Sequence, residues 1–243
     1  LDLADQGQTQ EEIASEFKVS QRRIGQIINK ENKSKEKRQE TILAVDFNYS
    51  DSEMCKIIQG DFREVCPGLD DNSIDIIITD PPYPKEYIEL YGSLAEQAAR
   101  LLKPGGSLLT MCGQSYLPDI FNLMTPHLSY YWTFTYRTPG GQSVQVWNRK
   151  INTFWKPVLW FVKGNYDGEW NGDVISLEDD LKSDTNDNDK RFHNWGQSES
   201  GVSRIVEKFT NPGDLILDPF LGGGTTAISA LRAEVVDGET GCD

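Results

Sequence analysis

The chain predicts an α/β fold, a Rossmann-like, mostly parallel sheet with covering helices, preceded by a small all-α helix-turn-helix. Three observations carry this. From about Cys55 onward, short apolar runs of strand type alternate with helical stretches, the arrangement that builds a parallel sheet. One of those runs ends at a triglycine turn that opens a helix, at 222–226. Over residues 10–29 the apolar spacing is helical, with a single break. The expected units are therefore 1–40, a helix-turn-helix with a charged linker, and 41–243, the α/β domain, with an insert at about 137–200.

In the first unit, Ile13, Ala14, Phe17, Val19, Ile24, Ile27 and Ile28 follow a helical period broken once near Lys18-Val19. Thr9 with Glu12 makes a capping box, and Ser20 caps the second helix. The exposed face would carry Gln21, Arg22, Arg23 and Gln26 as DNA contacts; a helical hairpin used for docking is the alternative. Lys18 stands where the turn favours glycine, and a left-handed backbone there costs roughly 1–2 kcal/mol. Residues 30–40 are almost wholly polar and read as a linker.

In the second unit, strands are expected at 55–59, 74–79, 107–112, 130–137, 157–162, 215–217 and 234–236. Helices are expected at 86–102, ended by Lys103-Pro104-Gly105-Gly106, at 200–210, and from Thr225. Residues 171–190 carry seven acids against two lysines and read as a solvated loop.

Composition narrows the function classes. Of 243 residues, 37% are hydrophobic, with six Trp and nine Tyr, enough for a packed core. No apolar run approaches a membrane span, and no signal peptide opens the chain. It begins at Leu1 rather than Met, which points to missing upstream residues. Four dispersed cysteines and two histidines argue against a zinc site and for a reducing cytoplasm. A net charge of −14 disfavours a simple DNA-coating protein. Residues 130–170, however, hold five basic side chains against two acids, so phosphate contacts are expected from Arg137, Arg149 and Lys150.

Two motifs carry chemistry. Asp80-Pro81-Pro82-Tyr83 follows the buried strand 74–79, where open α/β sheets place their ligands. Asp80 and the Pro81 carbonyl could accept both hydrogens of an exocyclic amino group, localising a lone pair that is otherwise spread into the ring. Proline fixes φ and holds that carbonyl stiffly. Tyr83 offers a face for an extruded base. The alternative is a plain strand terminator with Asp80 as a cap.

The second motif is Asp218-Pro219-Phe220-Leu221-Gly222-Gly223-Gly224-Thr225-Thr226. Glycines allow close backbone approach, and the helix N-terminus offers N–H groups to an anion. Neither a phosphate-binding Gly-Lys-Ser/Thr nor the dinucleotide Gly-x-Gly-x-x-Gly spacing is present.

From about Cys55 to the end, the chain resembles the β-type, permuted class of DNA amino methyltransferases, in which the catalytic tetrapeptide precedes the cofactor loop. The resemblance implies S-adenosylmethionine as cofactor, double-stranded DNA as substrate and target recognition by the insert at 137–200. It leaves a homodimer and a cognate restriction endonuclease open as partners. Asp at the head of the tetrapeptide is the form usual for N6-adenine enzymes; N4-cytosine enzymes more often carry Ser. Carried over with the motifs, Asp61 would bind the cofactor's adenine amino group, Phe62 its ring and Glu239 its ribose. Asp218, Phe220, Gly222, Gly224, Thr225 and Thr226 would complete the cofactor site. Gln197, in His193-Asn194-Trp195-Gly196-Gln197, stands where the family often has lysine. Asp61 reads equally as a helix cap, and Tyr131, Trp132 and Tyr136 as core or as a wall beside the base. The expected reaction is direct methyl transfer to adenine N6, without metal or covalent intermediate. The rival readings are N4-cytosine transfer and a helix-turn-helix regulator with a non-catalytic α/β domain.

Overall fold

The computed structural model describes residues 51–52, 54–137, 144–146, 149–166, 178–183 and 198–237. The expected helix-turn-helix with Gln21, Arg22, Arg23 and Gln26, and the residues Gln197 and Glu239, lie outside them.

A six-stranded sheet organises the domain. Its strands are β3 (Ile74–Thr79), β4 (Leu102–Met111), β5 (Ser129–Arg137), β8 (Lys156–Val162), β9 (Asp180–Lys182) and β10 (Ile216–Leu217). The order across the sheet is β10-β3-β4-β8-β5-β9. Pairs β10·β3, β3·β4 and β5·β9 are parallel, whereas β8 runs antiparallel to both its neighbours. Central strand β3 reads Ile-Asp-Ile-Ile-Ile-Thr and is buried on both faces, which is why it lacks polar alternation.

Two short hairpins complete the strand set. One pairs β1 (Asp51–Ser52) with β2 (Cys55–Lys56), the other β6 (Val144–Val146) with β7 (Ile151–Thr153).

Helices pack on both sheet faces. On one lie α1 (Phe62–Val65), α2 (Glu89–Leu101) and α3 (Leu117–Met124). Helix α2 buries Tyr91, Leu94, Ala95, Ala98 and Leu101, a stripe at helical spacing that meets Ile77, Leu108 and Phe161. The other face carries α4 (Glu199–Phe209) and α5 (Thr225–Asp237), which pack together. There Ile205 and Val206 join Ile76, Ile78, Leu109 and Trp160.

Trp160 anchors this second core. Its indole Nε1 donates to the buried Ser107 hydroxyl at 3.0 Å, and its ring lies 5.8 Å from Phe134 and 5.2 Å from Phe209. Trp160→Phe removes that bond and strands a buried hydroxyl, so denaturant unfolding should show a loss of about 1–3 kcal/mol. An unchanged midpoint would contradict this account of the core.

Several sequence expectations are corrected. The helix expected at 86–102 begins at Glu89, after a single 3-10 turn at Lys85–Tyr87. Strand β4 starts at Leu102 and runs through Pro104-Gly105-Gly106, because Gly105 and Gly106 both join the Lys163 backbone by hydrogen bonds. The strand expected at 55–59 is only β2, paired in its own hairpin. Residues 180–182 of the expected acidic loop form edge strand β9. Residues 234–236 are the last turns of α5, not a strand. β-branched Val235 and Val236 have only a weak propensity against a helix already propagating. Among the described residues, no helix is long and apolar enough to cross a membrane.

Candidate active site

β3 and β10 are adjacent and parallel, yet the helices that come after them, α2 and α5, pack on opposite faces. Such a topological switch opens a crevice at the carboxyl ends of the two strands. Both sequence motifs sit there, Asp80 immediately after β3 and Asp218 immediately after β10. Thr79 Oγ1 donates to Asp218 Oδ1 at 2.7 Å and ties the two strand ends together.

A cavity of about 110 Å³ is lined by Thr79, Asp80, Asp218, Phe220, Gly222 and Gly223, among others. The carboxylate and the triglycine turn therefore face one space. A larger groove of about 1140 Å³ adjoins it at Asp218, Leu221 and Thr226 and extends past Phe62 and Leu217. Phe62 is buried, its ring 5.0 Å from that of Phe220. The expected partners Phe62 and Phe220, far apart in sequence, are thus neighbours.

The glycine turn has the geometry that its composition implies. Gly222 and Gly224 take φ of +55° and +80°, a region closed to most side chains. No atom lies within 4 Å of where a Cβ on Gly224 would stand. Thr225 then opens the 13-residue helix α5, whose N-terminal N–H groups suit an anion. Open space, helix N-terminal donors and a half-buried carboxylate fit a zwitterionic amino-acid head.

That carboxylate is Asp218. Burial pushes its carboxyl above the ordinary range; bonds from Thr79, Thr226 and the Phe220 N–H act the other way, and the Asp80 charge adds to the rise. A raised folded pKa means the native state holds the proton more readily. Stability is then gained as pH falls from the raised value toward 3.8, and the ionised group costs stability above it. Asp218→Asn can still accept from Thr79 and Phe220, so at pH 7 it should melt at or above the wild-type temperature. The difference should vanish in acid; a lower melting temperature at pH 7 would refute the burial effect.

Asp80 is held from two sides. The Tyr83 hydroxyl donates to its Oδ1, and Lys156 Nζ lies 3.6 Å from its Oδ2. Burial first, then the Asp80 charge, raises the Tyr83 phenol well above its usual value, so it acts as a donor. The Lys156 ammonium also sits 5.8 Å from the Tyr83 ring centroid and 5.4 Å from that of Tyr136. Tyr136 in turn packs where only glycine fits, because a Cβ on Gly201 of α4 would collide with its hydroxyl oxygen.

Sequence reasoning missed Lys156 as a site residue. It opens apolar strand β8, and only the antiparallel pairing of β8 with β4 and β5 brings it to Asp80. Of the three expected wall residues, Tyr136 lies at this end of the sheet. Tyr131 and Trp132 lie at the far end of β5, Tyr131 packed 4.2 Å from the Trp160 ring.

The remaining expected residues separate. Asp61 caps α1 by accepting from the Arg63 N–H at 2.9 Å, and the Arg63 guanidinium pairs with its carboxylate. The Arg63 bonds hold the Asp61 carboxyl down at about 2. Arg137 pairs with Asp180, which Lys182 also contacts, so the three together keep one positive charge. Arg149 donates to the Ser115 carbonyl at 3.0 Å, and Lys150 is exposed with φ +54°. Cys112 lies nearby, but burial and then the Asp80 charge push its thiol up to about 12, leaving no thiolate for nucleophilic attack.

This mixed sheet with its crevice at the β3/β10 switch is the methyltransferase fold. M1.HpyAVI, solved as a complex with SAM, matches with TM-score 0.57 at 21% identity, over 72% of this chain and 86% of that one. The cytosine-N4-specific PvuII DNA methyltransferase matches with TM-score 0.56 at 22% identity, over 71% and 76%. Residues 74–234 match the DNA methylase family of N6 and N4 methyltransferases, and the chain belongs to that family. By sequence it is similar to the type II methyltransferase M.BglII of Bacillus subtilis, 26% identical over 220 residues. That match takes in 71% of this chain and 61% of the relative, so the chain spans about three fifths of the relative's length.

Proposed function

We propose that the protein transfers a methyl group from S-adenosylmethionine to N6 of an adenine extruded from double-stranded DNA. The observation that carries this is the single cavity onto which Asp80 and the triglycine turn both open.

Gly222, Gly224, Thr225 and Thr226 would hold the cofactor's amino-acid head, its carboxylate at the α5 N-terminus and its ammonium toward Asp218. Phe62 and Phe220 line the way to the larger groove, which has room for a nucleoside. Asp61 is the candidate acceptor for the adenine amino group once Arg63 yields its place. Gln197 and Glu239 complete the proposed set. When bound, the cofactor supplies a methyl group made electrophilic by its sulfonium.

The chain's residues do the rest. Asp80 and the Pro81 carbonyl accept the two N6 hydrogens and draw the nitrogen toward tetrahedral geometry, turning its lone pair outward. Tyr83, fixed through its hydroxyl on Asp80, stacks on the base. The Asp80 carboxylate would face the positive charge that develops on N6 and would take the proton that N6 releases once methylated. Lys156 must withdraw from Asp80 at that stage, because its own positive charge opposes the one developing.

Asp rather than Ser at the head of the tetrapeptide supports adenine as the acceptor. Cytosine N4 is the second reading, since the family includes both acceptors. One assay separates them. The protein is incubated with labelled S-adenosylmethionine and native DNA, the DNA is digested, and the modified nucleoside is identified by mass spectrometry. N6-methyladenine is expected. N4-methylcytosine would move the acceptor, and no methylated nucleoside would favour a DNA-binding regulator built on residues 1–40. A restriction-modification setting with a cognate endonuclease, a homodimer and a cytoplasmic location are part of the same proposal.

A further inference from the structure

The hairpin of β6 and β7 runs directly into β8, whose first residue is Lys156, and its second strand with the two residues after it is apolar for a surface. Phe154 is 68% exposed, Ile151 56% and Trp155 36%. An apolar ring left this exposed forgoes the burial that a partner would restore. The turn ahead of them carries the exposed cations Arg149 and Lys150.

The foot of this hairpin is clamped. Gln114 Nε2 donates to Thr153 Oγ1 at 2.8 Å and to the Trp155 carbonyl at 3.1 Å, and Thr153 Oγ1 donates to that same carbonyl. Next to Gln114, a Cβ on Gly113 would touch the Tyr83 Cβ at 3.4 Å. Two residues beyond Phe154, Lys156 stands against Asp80. An exposed aromatic side chain is thus held on a braced element within about 7 Å, along extended chain, of the residue that touches the catalytic carboxylate.

We propose that Phe154 is a wedge that enters the DNA base stack where the target base has left, with Lys150 on a neighbouring phosphate. This rests on the reading of the site as one for an extruded base. An empty step in a duplex exposes two base faces, and an apolar ring inserted there replaces the lost stacking. The positive charge beside the wedge suits a phosphate backbone and not an apolar protein face.

The test uses the full chain. Phe154→Ala should lose at least tenfold in kcat/KM on native genomic DNA, yet lose less than twofold on the same DNA heat-denatured, where no stack needs filling. Its calorimetric affinity for S-adenosylmethionine should be unchanged. Phe154→Trp should keep activity, and duplex DNA should quench its added emission relative to wild type. Lys150→Ala should reduce the salt slope of duplex binding by about 1. Equal loss on both DNA forms, no loss, or added emission that duplex DNA leaves unquenched in Phe154→Trp overturns the wedge. So does a Phe154→Ala variant whose only change is a smaller sedimentation coefficient, which would make this face a contact between copies. Failure of the methyltransferase reading would look different, with wild type inactive on every nucleic acid.

Discussion

Asp80→Ala should lower single-turnover methyl transfer by at least about a thousandfold while leaving S-adenosylmethionine binding intact. Removing one preorganised group that faces developing charge typically costs about 10²–10³ in rate. In the proposed reaction the carboxylate would also orient the nucleophile, and it holds the Tyr83 hydroxyl, so positioning would be lost with it. Binding should survive because the glycine turn and α5 do not depend on Asp80. The Asp80 charge in fact adds to the rise of the Asp218 carboxyl, and its removal relieves that repulsion. Calorimetry with the cofactor and a rapid-quench assay on DNA separate the two effects. A variant that kept a tenth of the wild-type rate would remove Asp80 from the chemistry, and one that lost cofactor binding would place it in the wrong half of the site.

Gly224→Val should do the reverse, with cofactor affinity falling at least about a hundredfold. At φ +80° a side chain costs about 1–2 kcal/mol, and β-branching adds to it. The new methyl groups would also occupy the open space in front of the turn, where no protein atom stands within 4 Å. Because an added Cβ meets no atom within 4 Å, the fold should persist, and circular dichroism beside the calorimetry separates lost binding from unfolding. Calorimetric affinity equal to wild type would mean that the ligand does not approach this turn.

Both expected losses fall on residues that were legible in the primary structure. The isoleucine-rich run before Asp80 reads as a buried strand, and the triglycine ahead of Thr225 as a tight turn opening a helix. Periodicity likewise located α2, α4, β5 and β8 to within a few residues. It failed at Val235-Val236, where helix propagation outweighed local preference, and at Pro104-Gly105-Gly106, where ladder bonds to Lys163 drew a turn-like segment into β4. Edge strand β9 was hidden because a single polar–apolar–polar triplet in an acidic stretch is too short to show a period.

What the amino-acid order determined by itself was local and covalent: which segments are strands, where the backbone needs glycine, and which residue types could hold an amino group or an amino-acid head. Only tertiary structure decided which of those groups meet. Thr79 reaches Asp218 across 139 positions because β3 and β10 are neighbours, and Lys156 reaches Asp80 because β8 runs antiparallel in the sheet. Arg137 meets Asp180 through the pairing of β5 with β9, a contact that spacing does not give. Pairings of this kind arise from strand order and direction, which spacing along one chain does not encode.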